Sequence, residues 1–142
     1  MRPSSLIRRR WFAVALTAAI VGLTLTTAYI HFTLGGVLFT LNALGYVGLA
    51  IAILVGAIPS AFIDRFSWLP RVGLAAFTAA TIAGYLVIGP YFSLGWMAKG
   101  VEVGILVLLA VDVIRVYRSP AGLIRAIAET FGRSDREALR AA

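Results

Sequence analysis

Residues 37–58 read VLFTLNALGYVGLAIAILVGAI, a stretch without Asp, Glu, Lys or Arg in which Thr40, Asn42 and Tyr46 are the polar side chains. At about 1.5 Å per residue, some ~20 residues of helix cross a hydrocarbon core of about 30 Å, so this stretch has the length and character of a membrane span. Three others accompany it, at 11–30, 72–88 and 94–116. The one at 72–88, held between Arg71 and the Gly89-Pro90 break, is the shortest; it crosses with little tilt or borrows Leu69 and Tyr91 at its ends. Long runs of Ala, Leu, Val and Ile specify helices rather than barrel strands, whose polarity alternates over roughly ten positions. The expected fold is all-α: an integral membrane four-helix bundle over 1–118, then a cytoplasmic amphipathic helix and tail over 119–142.

The composition agrees. Of 142 residues, 61% are hydrophobic and 13% charged, with a mean hydropathy of +0.93, against about 45–50% apolar and about 25% charged for a soluble domain. A water-soluble domain and a disordered chain are both excluded. No cysteine is present, which removes disulfide scaffolds, thiol catalysis and cysteine-ligated metal sites.

Placement of charge says more than the net +7. Arg2, Arg8, Arg9 and Arg10 precede the first span, Arg65 and Arg71 lie between the second and third, and Arg115, Arg118, Arg125, Arg133, Arg136 and Arg140 end or follow the fourth. Lys99 alone falls on the other side. Arg and Lys are retained on the cytoplasmic side, so the chain is expected to run N-in and C-in in a bacterial or archaeal cytoplasmic membrane. Topology thus accounts for the basic character, and nucleic acid is not an expected partner. Arg9-Arg10-Trp11-Phe12 loosely matches a twin-arginine signal, but the apolar run is longer than a signal h-region and lacks a cleavage site, which favours a first span with a basic flank.

Local signals fill in the connections. Gly35-Gly36 permits a tight hairpin between the first two spans. The segment 59–70, PSAFIDRFSWLP, is expected along the cytoplasmic headgroups, and Tyr91, Phe92 and Trp96 in the opposite aromatic belt. Ser119-Pro120 reads as an N-cap and first helical residue, with Leu123, Ile124, Ile127 and Phe131 at helical spacing and Gly132 as a stop. Gly48, Ala52 and Gly56, then Ala75, Ala79 and Ala83, then Gly100 and Gly104 form small-residue stripes expected at helix contacts. The lipid bilayer is the expected surrounding; a second copy or a membrane protein partner is compatible with the lipid-facing area of so small a bundle.

Polar residues inside spans carry the functional hypothesis. Depth along the helices brings Asn42, Lys99 and Glu102 to one outer-leaflet level, with His31 and Tyr29 at the outer end of the first span. Asn42, Tyr46 and Tyr85 are expected to supply hydrogen bonds across the bundle, and His31, Asn42, Tyr46, Lys99 and Glu102 are the candidate ligand-binding residues. Lys99 and Glu102 are i, i+3 and neutralise each other if both lie inside; if the fourth span begins near Val101, they are instead a hydrated helix start. Asp112 and Arg115, also i, i+3, read as a structural ion pair near the cytoplasmic end. One histidine makes no two-histidine haem site within a monomer, and neither a cofactor nor a metal site follows from these residues.

The stretch IHFTLGG at 30–36, followed by LFTLNALGY at 38–46, resembles small uncharacterised prokaryotic four-span membrane proteins, loosely DoxX-like. The resemblance implies four helices in a bacterial or archaeal cytoplasmic membrane, without an assigned reaction. Three function classes are then expected in order: a structural or accessory subunit or binder of an apolar ligand such as a lipid or quinone; a small proton- or cation-coupled transporter using Glu102; and an enzyme, for which no nucleophile–base spacing is present.

Overall fold

The computed structural model describes residues 3–141, with side chains described over 7–60 and 62–132. Six α-helices follow in order: α1 Pro3–Leu34, α2 Val37–Val55, α3 Ala61–Arg65, α4 Trp68–Ile88, α5 Ser93–Tyr117 and α6 Pro120–Ala141. Among the described residues there is no strand.

The apolar runs become α1, α2, α4 and α5, and their ends differ from expectation where local chemistry intervenes. α1 runs for 32 residues rather than 11–30, so Arg8, Arg9 and Arg10 sit on the helix itself, not in a flank before it. Proline at its first position costs nothing, because the first amides of a helix have no intrahelical acceptor. α2 stops at Val55 instead of 58, with the Gly56 amide donating to Ala52 O at 2.9 Å. Between α1 and α2, Gly35 and Gly36 adopt φ of +71° and +83°. Gly36, at ψ 158°, occupies a region open essentially to glycine alone, and this is why two residues suffice to reverse the chain.

The 59–70 connection folds into α3 and the first turn of α4. At the other end the Gly122 amide donates to Ser119 Oγ at 3.0 Å, which makes Ser119 the expected N-cap of α6. Gly132 does not stop that helix: α6 continues to Ala141, 22 residues in all. A glycine inside a helix costs about 1 kcal/mol but ends it only where the chain turns left-handed, and the tail is therefore one long helix rather than a short one with a separate turn after it. α6 is tied back through Thr130, whose hydroxyl accepts from Trp68 Nε1 at 3.2 Å and whose carbonyl accepts from Arg65 at 3.1 Å.

α1 packs against α2 and α5, α4 against α5 and α2, and α6 against the ends of α5 and α4. Leu16, Ile20 and Ala28 of α1 meet Tyr46 and Ile53 of α2, Leu74 of α4, and Ile105 and Leu109 of α5 in the core. Close helix approach is set by Gly45, whose Cβ position lies 2.6 Å from the Phe77 ring, Gly73 against Leu49 at 3.4 Å and Gly104 against Leu23 at 3.3 Å. The expected small-residue stripes hold only in part. Gly48 and Gly100 face open space, and Ala79 and Ala83 are exposed.

Polarity is distributed inside out. Trp11, Phe12, Leu38, Leu44, Ile51, Val87 and Val107 are exposed, whereas Thr24, Thr27, His31, Thr78, Lys99, Glu102 and Asp112 are buried. Exposed apolar area on this scale is what lipid, not water, tolerates. Three helices, Ile7–Leu34, Val37–Val55 and Trp68–Ile88, are long and apolar enough to cross a membrane, and they mark the chain as a multi-pass membrane protein. α5, 25 residues long, lies against α1 and α4 and turns Lys99, Glu102 and Asp112 toward them.

Candidate functional site

Glu102 is the centre of the buried polar cluster. It has no solvent exposure, and Lys99, one turn earlier on α5, has 7%. Lys99 Nζ donates to Glu102 Oε2 at 2.5 Å and to the Thr81 carbonyl at 3.2 Å, and it sits 5.5 Å above the Tyr85 ring. α5 begins at Ser93, so Lys99 is well within the helix and not in a loop before it. Both side chains are packed among the helices and not open to solvent.

The carboxylate is completed from two other helices. Thr27 Oγ1 of α1 donates to Oε1 at 3.2 Å, and Thr81 Oγ1 of α4 donates to Oε2 at 3.1 Å. Tyr46 of α2 lies 2.7 Å from Thr81 Oγ1. Thr81 has one proton, which goes to Glu102 or to the Thr78 carbonyl at 2.9 Å, and Tyr46 is therefore the donor in their contact. The Tyr46 ring is held edge-on by Phe77 at 4.9 Å. Four helices thus contribute to one network.

His31 closes the side toward the α1–α2 hairpin. Its Nδ1 lies 2.8 Å from the Thr27 carbonyl, an acceptor only, which places the proton on Nδ1 when the ring is neutral. Nε2 then faces Glu102 Oε1 across 3.7 Å. Two lone pairs attract across that gap only when a proton is added to one of them. Asn42, one turn closer than Tyr46 to the α1–α2 hairpin, is half-buried and makes no hydrogen bond among the described residues. Of the five residues singled out from sequence, His31, Tyr46, Lys99 and Glu102 come together and Asn42 stays at the edge.

Sequence reasoning missed Thr27, Thr78 and Thr81. A signal was present: Thr24, Thr27 and His31 on α1, and Thr78, Thr81 and Tyr85 on α4, share the spacing i, i+3, i+7, which keeps three polar groups on one helix face. Thr24 returns its hydroxyl to Ile20 O at 2.7 Å, the usual behaviour of threonine in a membrane helix. Thr78 does not, and its buried hydroxyl has no hydrogen-bond partner among the described residues.

A second charged cluster lies toward the opposite ends of α4 and α5. Asp112, 3% exposed, accepts from Arg71 Nε at 2.7 Å and from Arg115 at 2.6 Å. The expected pair with Arg115 is there, and Arg71 adds a bond across to α4. Against family models, curated proteins and solved structures, the chain finds no match. Among the described residues no three His, Asp or Glu side chains gather as a metal site.

What this arrangement does chemically follows from its saturation. Glu102 and Lys99 cancel in charge, and both carboxylate oxygens are occupied by donors from inside. A buried charge costs several kcal/mol unless paired and hydrogen-bonded, and here it is both.

Proposed function

We propose that the chain is a four-span integral membrane protein, N-in and C-in in a prokaryotic cytoplasmic membrane, acting as a structural or accessory subunit whose helices are clasped by the Glu102 network. The observation that carries this reading is closure: Thr27, His31, Tyr46, Lys99 and Glu102 are all buried, Glu102 takes donors from Thr27, Thr81 and Lys99, and Tyr46 donates to Thr81. A coupling site needs access from both sides, whereas a clasp needs none. Four spans follow from adding α5 to the three apolar helices, since its 25 residues exceed the about 20 required and Lys99, Glu102 and Asp112 turn inward. The orientation rests on the arginines, with Arg8, Arg9, Arg71, Arg115 and Arg118 toward one end of the helices and Lys99 in the other half.

The test is reconstitution into proteoliposomes with a pH gradient, comparing wild type and Glu102→Gln. The expected result is no gradient-driven flux in either, together with a loss of thermal stability in the variant. Flux that disappears in a folded Glu102→Gln protein would overturn the clasp. It would instead establish a proton-coupled transporter, the reading favoured by the facing His31 Nε2 and Glu102 Oε1.

The apolar-ligand form of the proposal has a seat of its own. A groove of about 420 Å³ runs between α4 and α5 to the start of α6, lined by Val72, Ala75, Leu106, Leu109, Val113 and Leu123. A lipid tail suits it, because the lining is apolar apart from Arg71. Native mass spectrometry of wild type and Ala75→Phe reads whether a molecule is retained and then excluded, and its mass separates a lipid from a quinone.

A further inference from the structure

The clasp leaves one strongly charged feature of the molecule unused. Between the N-terminal part of α1 and the C-terminal end of α5 lies a pocket of about 590 Å³ lined by Arg8, Arg9, Phe12, Arg115 and Arg118. Four guanidinium groups from two helices line one space. Of the four, Arg115 has an acid, Asp112, which it shares with Arg71. The side chains of Arg8, Arg9 and Arg118 make neither an ion pair nor a hydrogen bond among the described residues. Arg118 is also the one non-glycine residue with positive φ among them, at 69°, a conformation that costs an L-residue roughly 1–2 kcal/mol. Like charges gathered without a counterion repel one another, and the arrangement is complete only with an anion.

We propose that this pocket binds the phosphate-bearing headgroup of an anionic phospholipid. Guanidinium groups present paired N–H donors that match phosphate oxygens two at a time. Liquid water occupies about 30 Å³ per molecule, so the space holds some twenty waters and exceeds what a single inorganic phosphate fills. Its surroundings suit a lipid: exposed Phe12 forms part of its wall, Ile7 and Trp11 nearby along α1 are exposed apolar side chains, and the two helices that form it are long enough to carry acyl chains along their flanks. Basic pockets between membrane helices on the cytoplasmic side are suited to such headgroups. The site is separate from the Glu102 network, which lies in the other half of α5.

The test is native mass spectrometry of the full chain exchanged into detergent with defined lipid: dioleoyl phosphatidylglycerol, tetraoleoyl cardiolipin, dioleoyl phosphatidylcholine, or inorganic phosphate alone. The Arg8→Gln/Arg9→Gln/Arg118→Gln variant is compared with Arg10→Gln/Arg125→Gln, which removes basic charge of the same helices and tail outside the pocket. Arg115 is left in place because it holds Asp112. Wild type is expected to prefer the anionic lipids over phosphatidylcholine by at least about tenfold, since each nearby arginine contributes roughly fivefold. The pocket variant is expected to lose that preference, and the control to keep it within about threefold. Three results would each overturn the proposal: equal retention of all lipids, equal loss in pocket variant and control, or displacement of the lipid by millimolar inorganic phosphate. Lipid-free thermal unfolding guards the comparison, because removing unpaired like charges leaves the pocket variant at least as stable as wild type. If that variant unfolds, the triple Lys substitution keeps the charge but not the fork, and retention of the full anionic preference by it refutes phosphate recognition by guanidinium.

Discussion

Replacing Lys99 by Met keeps the side-chain stem and removes the ammonium, leaving Glu102 buried with only the Thr27 and Thr81 hydroxyls. At the observed 2.5 Å and an effective dielectric of about 20, the lost attraction is about 7 kcal/mol. The Lys99 desolvation no longer incurred returns several kcal/mol of this, and removal of one partner from a buried pair costs about 3–5 kcal/mol net. Glu102→Gln is expected to cost less, about 2–3 kcal/mol, because Lys99 keeps the Thr81 carbonyl and the Tyr85 ring. In Lys99→Met/Glu102→Gln no charge is left without a partner, and the double variant is expected at least about 2 kcal/mol more stable than Lys99→Met. Reversible unfolding in mixed micelles, titrated with sodium dodecyl sulfate and followed by circular dichroism, measures all four proteins. A Lys99→Met cost under about 1 kcal/mol, or simple addition of the two single costs, would refute the clasp.

Other expectations are as direct. Thr81→Val, which removes a donor to Glu102 and the acceptor for Tyr46, costs about 1–2 kcal/mol, whereas Thr78→Val, which removes an unpartnered buried hydroxyl, is neutral or stabilising in the same assay. Asp112→Asn weakens the tie between Arg71 and α5 and lowers stability by about 2–4 kcal/mol, read as thermal unfolding in detergent. Gly36→Ala forces a Cβ into glycine-only backbone at φ 83° and costs about 1–3 kcal/mol. Thr130→Val removes the acceptor for the Trp68 indole, and faster proteolytic trimming of α6 is the expected readout.

The helices were legible because bilayer thickness imposes a length on apolar runs, and the hairpin because two adjacent glycines leave little else for the chain to do. Depth counting singled out Lys99, Glu102 and His31, which the fold brings together, and Asn42, which it leaves at the edge. It missed Thr27 and Thr81 because a threonine in a membrane helix can satisfy itself on the preceding turn, as Thr24 and Thr26 do, so residue type alone does not reveal which ones reach across. Arg71 pairing with Asp112 lies 41 positions away in sequence and depends on how α4 and α5 face each other, which no local pattern encodes. Small residues misled for a related reason: Gly48 and Gly100 are acceptable against lipid as well as against a neighbouring helix, and periodicity does not tell the two apart.

Both carboxylates of α5 have their cation on the same helix one turn away, Lys99 for Glu102 and Arg115 for Asp112. During biosynthesis this matters before any tertiary contact exists. A lone Asp, Lys or Arg at the centre of a span adds roughly 2.5–3.5 kcal/mol to the free energy of leaving the insertion machinery. A segment that brings its own counterion enters the bilayer with that penalty already reduced, and does not wait for a partner span to neutralise it. In the proposed four-span arrangement, lateral partitioning of the nascent α5 is thereby uncoupled from its docking, and the hydroxyls of Thr27 and Thr81 serve a later step, in which the delivered pair fixes where α5 comes to rest.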